Sequence, residues 1–215
     1  VAVVSQPGKR AAHSPAPGPL DPELKEFWTE NPWDITSEGH NLSAYERKRT
    51  FMNLAGKGFL DVSFLTGTDN DGDGRSVIAC DFRNNGQQDL VVRQVGGGVL
   101  LMFENHFPRR HYLEVSLRGK RSNRLGIGAR LTARVGGRQI VREVFPADTF
   151  ASQAPLRAHF GLGDVVNVDK LTIRWPSGVV QQLSDLAGDR HIIVDEEVEG
   201  PGAVQTVVPG RPVPP

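Results

Sequence analysis

A single cysteine in 215 residues, Cys80, has nothing to pair with inside the chain, so the fold must rest on a buried core and not on an internal disulfide. Set in the apolar run Ser76-Val-Ile-Ala-Cys-Asp-Phe82, that cysteine is expected as a small buried hydrophobe rather than a nucleophile. Net charge is missing as well. The 25 Lys and Arg offset the 25 Asp and Glu, so no global field draws the chain to nucleic acid or to an anionic membrane. No apolar run approaches the ~20 residues of a membrane-spanning helix, which excludes a transmembrane helix of its own. Nor does the chain carry a G-x-S-x-G elbow, a Walker loop or a dinucleotide fingerprint after a strand. His111, His159 and His191 fall on separate strand candidates without H-x-x-x-H or H-E-x-x-H pairing. They read as satisfied histidines and not as zinc ligands.

What is present begins with two unpatterned ends. Residues 1–20, rich in Pro, Ala, Gly and Ser, and residues 200–215, rich in Pro, are expected as extended arms. Such an arm buries too little apolar area to offset an ordering cost of roughly 1–2 kcal/mol per residue. Held in one conformation, it needs an external surface, so both arms are expected to contact other chains. The first residue is Val1 and not Met, which suggests a processed or trimmed start. Asn41-Leu42-Ser43 is a glycosylation sequon, relevant only on a eukaryotic secretory route.

Two short helices are expected near the N-terminus. In Leu20-Asp-Pro-Glu-Leu-Lys-Glu-Phe-Trp28, Asp21 can cap, with Pro22 in the first helical position. In the stretch from Ser43 to Leu54, Ser43 and Glu46 have capping-box spacing. From about Leu60 onward the pattern is β. Strand candidates lie at 76–82, 89–95, 99–107 and 111–119, with Gly96-Gly97-Gly98 joining the second and third as a hairpin. Residues 129–145 alternate apolar and polar around Gly136-Gly137, the pattern of a two-residue hairpin that puts Leu131, Ala133 and Val135 on one face. Further candidates lie at 157–163, 170–178, 179–183 and 190–197, with Pro176-Ser177-Gly178 as a turn. Many short strands without a long helix give an all-β fold.

Charge is uneven along this pattern. Arg109, Arg110, Arg118, Lys120, Arg121, Arg124, Arg130, Arg134, Arg138 and Arg142 occupy a region with few acids, and Asp185, Asp189, Asp195, Glu196, Glu197 and Glu199 a later one. The expectation is of solvated strand faces that partly neutralise one another.

Two acidic loops are the candidate ion sites. Calcium takes six to eight oxygens, usually several carboxylates and carbonyls around a glycine turn. In Asp81-Phe-Arg-Asn-Asn-Gly-Gln-Gln-Asp89 the ligand positions of a D-x-[DN]-x-D-G-x-x-D loop are taken by Asp81, Arg83, Asn85 and Asp89. Either Asp81, Asn85 and Asp89 hold Ca²⁺, or the Arg83 guanidinium neutralises Asp81 or Asp89 through forked hydrogen bonds. Upstream, Asp69, Asp71 and Asp73 alternate beside Gly72 and Gly74, either as further Ca²⁺ ligands or as a polar turn. No cofactor is required by any motif.

These loops and the strands beyond them, Asp73-Gly-Arg-Ser-Val-Ile-Ala-Cys-Asp-Phe-Arg-Asn-Asn-Gly-Gln-Gln-Asp-Leu90, resemble one FG-GAP/VCBS-type repeat of integrin-like propellers. One unit falls short of the four or more blades a propeller needs. Downstream, Ser122-Asn123-Arg124, Gly126-Ile127-Gly128-Ala129, Phe160-Gly161-Leu162-Gly163 and Arg174-Trp175-Pro176-Ser177-Gly178 follow in order. Together they resemble the ASPIC/UnbV domain of the cartilage acidic protein family and of bacterial secreted proteins. Leu125 departs from the small or polar residue usual there.

The resemblance implies a β-sandwich-like domain at 105–199, preceded by short helices and the FG-GAP-like unit at 21–104, and an extracytoplasmic (periplasmic or secreted) setting. It implies no catalytic activity. The expected function is a structural or interaction subunit of a larger complex of other protein chains, membrane-associated or not. An accessory enzyme of a biosynthetic pathway and a calcium-dependent adhesion module are the alternatives.

Overall fold

The alternation expected around Gly136-Gly137 becomes a hairpin with six cross-strand pairs, from Arg130↔Glu143 to Val135↔Arg138. Both turn glycines have positive φ, 51° and 76°, as a type I′ turn requires. A computed structural model of the chain describes residues 18–23, 46–94, 99–146, 149–150, 152–198 and 200–209. In chain order its strands are β1 Phe51–Asn53, β2 Phe59–Asp61, β3 Gly74–Cys80, β4 Asp89–Gln94, β5 Leu101–Phe103, β6 His111–Arg118 and β7 Arg130–Val135. They continue as β8 Arg138–Glu143, β9 Ala158–Gly163, β10 Asn167–Arg174, β11 Val180–Ala187, β12 Arg190–Asp195 and β13 Val204–Pro209. A single 3₁₀ turn, Gly200–Ala203, precedes β13 among the described residues.

Four sheets result: β1-β2, β3-β4-β5, β11-β10-β7-β8 and β13-β12-β6-β9. Compactness divides the chain into Val1–Val77 with Val92–Leu101, and Ile78–Val91 with Met102–Pro215. The two four-stranded sheets belong to the second unit and share one core. Leu113, Val115, Phe160, Leu162 and Val194 of one sheet join Leu131, Ala133, Val135, Leu171 and Ile173 of the other. Each fully buried large apolar side chain contributes about 1.5–3 kcal/mol relative to exposure. Arg138 and Arg142 of β8 donate to the Leu162 and His159 carbonyls of β9, at 3.3 and 2.8 Å, which ties one edge of the sandwich across the two sheets.

The central strand β6 is antiparallel to β9 but parallel to β12. Leu113, Val115 and Leu117 face the core, while Tyr112 and Glu114, on the opposite face, are also buried. The loop from Asp81 to Asp89 covers that second face. Gly86 has φ 86°, and a Cβ there would overlap the Tyr112 ring.

Two expectations need correction. Residues 46–50 have no regular structure and Phe51–Asn53 is a strand, so the helix expected from Ser43 to Leu54 does not form there. The reason is local. Ala55 and Gly56 both take positive φ, Gly56 N–H donates to Asn53 Oδ1 at 2.8 Å, and the turn folds Phe51–Asn53 back on Phe59–Asp61. The C-terminal arm is in part a strand, since Val204–Pro209 pairs with β12 of its own sheet. Its proline sits at the end of an edge strand, where a missing donor is tolerated. Of the first expected helix only the start is described, as a turn in which Asp21 Oδ1 accepts the Glu23 N–H at 2.8 Å. Residues 24–45, the Gly96–Gly98 connection, most of the N-terminal arm and residues 210–215 lie outside the described residues.

Candidate functional site

Asp81, Asn85 and Asp89 do share one loop, but donors of the chain take their oxygens, with the exception of Asp89 Oδ2, which is buried without a hydrogen-bond partner. Asp81 accepts the Asn85 N–H at 3.0 Å and the Gly86 N–H at 2.6 Å. Asn85 Oδ1 accepts the Gln87 N–H at 2.9 Å. Asp89 is fully buried, and its Oδ1 accepts from Arg83 Nη2 at 2.9 Å and from the Asn105 N–H at 2.8 Å. Arg83 Nη2 also donates to the Asn105 carbonyl at 3.0 Å, and Nη1 pairs with Glu104. A guanidinium therefore stands against the buried carboxylate on which a cation would otherwise bear.

The upstream cluster is organised the same way by a residue the sequence did not single out. Lys48 Nζ donates to the Gly72 carbonyl at 2.6 Å, to Asn70 Oδ1 at 3.1 Å and to the Asn70 carbonyl at 3.4 Å. Carbonyl oxygens around a glycine turn are the surroundings a hard cation selects, and here an ammonium collects them. Burial lowers the Lys48 pKa, against the opposing pull of Asp71 and Asp73. Asp69 pairs with Arg47 at 2.5 Å, and buried Asp73 lies 3.9 Å from Arg75 Nη2. Among the described residues no three His, Cys, Asp or Glu side chains are grouped to hold a metal ion.

Five donors converge on the carboxylate of Glu196, fully buried at the end of β12. Its Oε2 accepts the Lys120, Arg121 and Ser122 N–H groups at 2.7, 2.8 and 2.8 Å. Its Oε1 accepts the hydroxyls of Ser122 at 2.8 Å and Ser177 at 2.6 Å. Burial pushes its pKa up, but the bonds from Ser177, Ser122 and Lys120 outweigh this and bring it down to about 2. Glu196 thus joins the Ser-Asn-Arg and Trp-Pro-Ser-Gly motifs. Beside it, Trp175 Nε1 donates to Gln181 Oε1 at 2.9 Å, and Gln181 donates to the Asp195 and Val198 carbonyls.

A second polar cluster lies on the outer face of β6, β9 and β12. Gln88 Nε2 is 3.3 Å from Glu114 Oε1 and 3.2 Å from His159 Nδ1, and Arg157 Nη1 is 3.5 Å from Glu114 Oε2. Burial raises the Glu114 pKa, yet His159, Arg157 and His191 together lower it overall. His159 stacks on Tyr112, with ring centroids 5.9 Å apart. His191 bonds to Ser116 Oγ through Nε2 at 2.8 Å, and its pKa is lowered by burial and by Arg157. Of the three histidines, His159 and His191 lie on this face with Glu114, while His111 pairs with Asp189 at 2.7 Å. Cys80 is only partly buried, and desolvation with nearby Asp89 raises its thiol pKa, which disfavours the nucleophilic thiolate.

Elsewhere, the first unit leaves apolar side chains uncovered. Among its described residues the buried apolar side chains are Val62 and Val92. Phe51, Met52, Leu54, Phe59 and Leu60 of the β1-β2 ribbon are exposed, and Phe64 and Leu65 in the following turn are 85% and 81% exposed. What holds this turn is polar: Ser63 Oγ bonds Asp61 Oδ1 at 2.5 Å, and Thr68 Oγ1 bonds Thr50 Oγ1 at 2.7 Å. Exposure on this scale, seven large apolar residues within fifteen positions, with Phe51 and Phe59 on one face of the ribbon and Met52 and Leu60 on the other, is of the kind that marks interaction surfaces. Alternation could not reveal it, because neither face of the ribbon is buried.

No helix among the described residues is long and apolar enough to cross a membrane. Residues 119–201 match the family model described as ASPIC and UnbV. None of the curated proteins matches the chain.

Proposed function

We propose that this chain, whose residues 119–201 match the ASPIC and UnbV family model, serves as a non-catalytic interaction subunit that docks on another protein chain and stabilises a larger assembly. The observation that carries this reading is the exposed ribbon and turn, with Phe59, Phe64 and Leu65 at its most open positions. Aromatic and aliphatic anchors of this kind supply most of the energy of a protein–protein contact when a partner excludes water from them. The polar clusters of the second unit support the same reading, because the Glu196 and Asp81 oxygens are engaged by the domain's own donors. Val204–Pro209 bonds to β12, so the docking is assigned to the ribbon and not to that strand. The resemblance to domains of secreted proteins supports an extracytoplasmic setting. Replacing Phe64 and Leu65 by Ser tests the proposal: assembly should be lost while the melting temperature of the chain holds.

A further inference from the structure

The outer face of the sheet β11-β10-β7-β8 carries an arrangement that costs stability. In the β7–β10 register Arg174 stands opposite Arg130 and Lys170 opposite Arg134, with Thr172 opposite Thr132 between them. Leu131, Ala133, Leu171 and Ile173, the intervening residues, are buried, so these six side chains share the outward face. The Cβ atoms of directly opposite residues in an antiparallel pair are about 5 Å apart, and like charges at such positions are destabilising. Arg130 alone of the four cations has an ion pair, with Glu143 opposite it on β8 at 3.7 Å. The side chains of Arg134, Lys170 and Arg174 have no ion pair or hydrogen bond among the described residues. At the margins of the face, Asp169 is engaged by the Gly136 N–H and Asp185 takes positive φ beside Ser184. The later acids, which could have balanced these cations, are occupied elsewhere: Asp189 with His111, Asp195 with Arg118, Glu197 with Arg121 and Glu196 with backbone donors.

We infer that this face is the docking site for an extended acidic segment of another protein. Charge complementarity selects an anion. The two cationic pairs are four residues apart along the strands, about 13 Å at the rise of a β-strand. An extended peptide running along β7 and β10 repeats its same-side chains every ~7 Å. Its carboxylates at i and i+4 would meet the two cationic pairs, and a small polar residue at i+2 would meet the threonine hydroxyls. The face offers no aromatic ring on which the bases of a single-stranded nucleic acid could stack. Its exposed apolar residues, Val141 and Val180, stand on opposite flanking strands, which gives a membrane no cluster to insert. The inference concerns the second unit alone and does not depend on the apolar ribbon.

The test uses the full chain and two fluorescent peptides of identical Glu, Ser and Thr composition, one with glutamates at i and i+4, the other with them adjacent. Anisotropy at about 0.05 M and about 0.5 M salt should show the spaced peptide binding at least about fivefold more tightly, with binding lost at the higher salt. The double variant Lys170→Gln, Arg174→Gln should bind at least about tenfold more weakly with an unchanged or raised melting temperature. Lys170→Arg should bind normally, and Phe64→Ser with Leu65→Ser should leave peptide binding intact. Equal binding of the two peptides, no binding of either, or a lowered melting temperature of the double variant would overturn the inference. So would tighter binding of heparin, a single-stranded oligonucleotide or anionic vesicles through the same residues.

Discussion

The hydroxyl of Ser177 donates to Glu196 Oε1 at 2.6 Å, and through that carboxylate the β10–β11 turn is fixed to the loop after β6. Glu196→Ala should leave five donors around an emptied site and destabilise the chain by at least about 3 kcal/mol. The effect has a defined pH dependence. The folded pKa, about 2, lies below the ordinary 4.5, so the contribution is complete above the ordinary value and is lost as pH falls through the folded one. The gap in melting temperature between the parent and Glu196→Gln should therefore be wide at pH 7 and narrow steadily toward pH 2. An equal gap at both ends would show that the carboxylate charge is not what the donors hold.

Removing Arg83 should leave the fully buried Asp89 carboxylate without its guanidinium. Arg83→Ala is expected to lose roughly 2–4 kcal/mol in a calcium-free buffer, with partial recovery on adding calcium. The parent protein, titrated by calorimetry, is expected to give no tight calcium binding that depends on Asp81 and Asp89. Tight binding of that kind would reverse the assignment of Arg83 as the loop's cation.

Lys48 provides an independent check of the same idea in the upstream loop. Lys48→Met retains a stem of similar length but removes the ammonium that gathers the Gly72 and Asn70 oxygens. Hydrogen exchange at residues 69–74 should accelerate by about tenfold or more. Unchanged exchange would mean that the turn is held without the lysine, through Asn70 Oδ1, which accepts from the Gly72 N–H at 2.8 Å and from Gln94 Nε2 at 2.9 Å.

Ala133 is fully buried between Leu171 and Ile140 in the β10-β7-β8 register. Ala133→Asp would place an unpaired carboxylate in the core at a cost of roughly 3–5 kcal/mol. Arg134→Asp, one residue along and exposed, should leave the melting temperature unchanged or higher. Equal melting of the parent and Ala133→Asp would contradict the assignment of faces.

The second unit was largely legible because strands such as β7 bury one face. Leu131, Ala133 and Val135 alternate with Arg130, Thr132 and Arg134, and the period names the core directly. The Gly136-Gly137 and Pro176-Ser177-Gly178 turns announced themselves by composition, with Gly178 at φ 90°. Other features left no periodic trace. Phe51–Asn53 is three residues long and exposed on both sides, so capping-box spacing at Ser43 and Glu46 misled. Val204–Pro209 looked like an arm because the prolines in and around it, Pro201, Pro209, Pro212, Pro214 and Pro215, mask an edge strand. The partners of Glu196 lie 74 to 76 positions away at residues 120–122, and no local pattern links them. Lys48 was similarly hidden, 22 and 24 residues from the oxygens it collects.

The central claim is that the exposed ribbon is buried against another protein. The most direct measurement is the mass and composition of the particle that carries the chain when it is isolated gently from its native source, for the parent and for Phe64→Ser with Leu65→Ser. The account predicts that the parent sits in a heavier particle with a second protein in fixed ratio. The variant, melting at the parent's temperature, should sediment as the free chain. A parent that sediments alone, or a variant that assembles as the parent does, would contradict it.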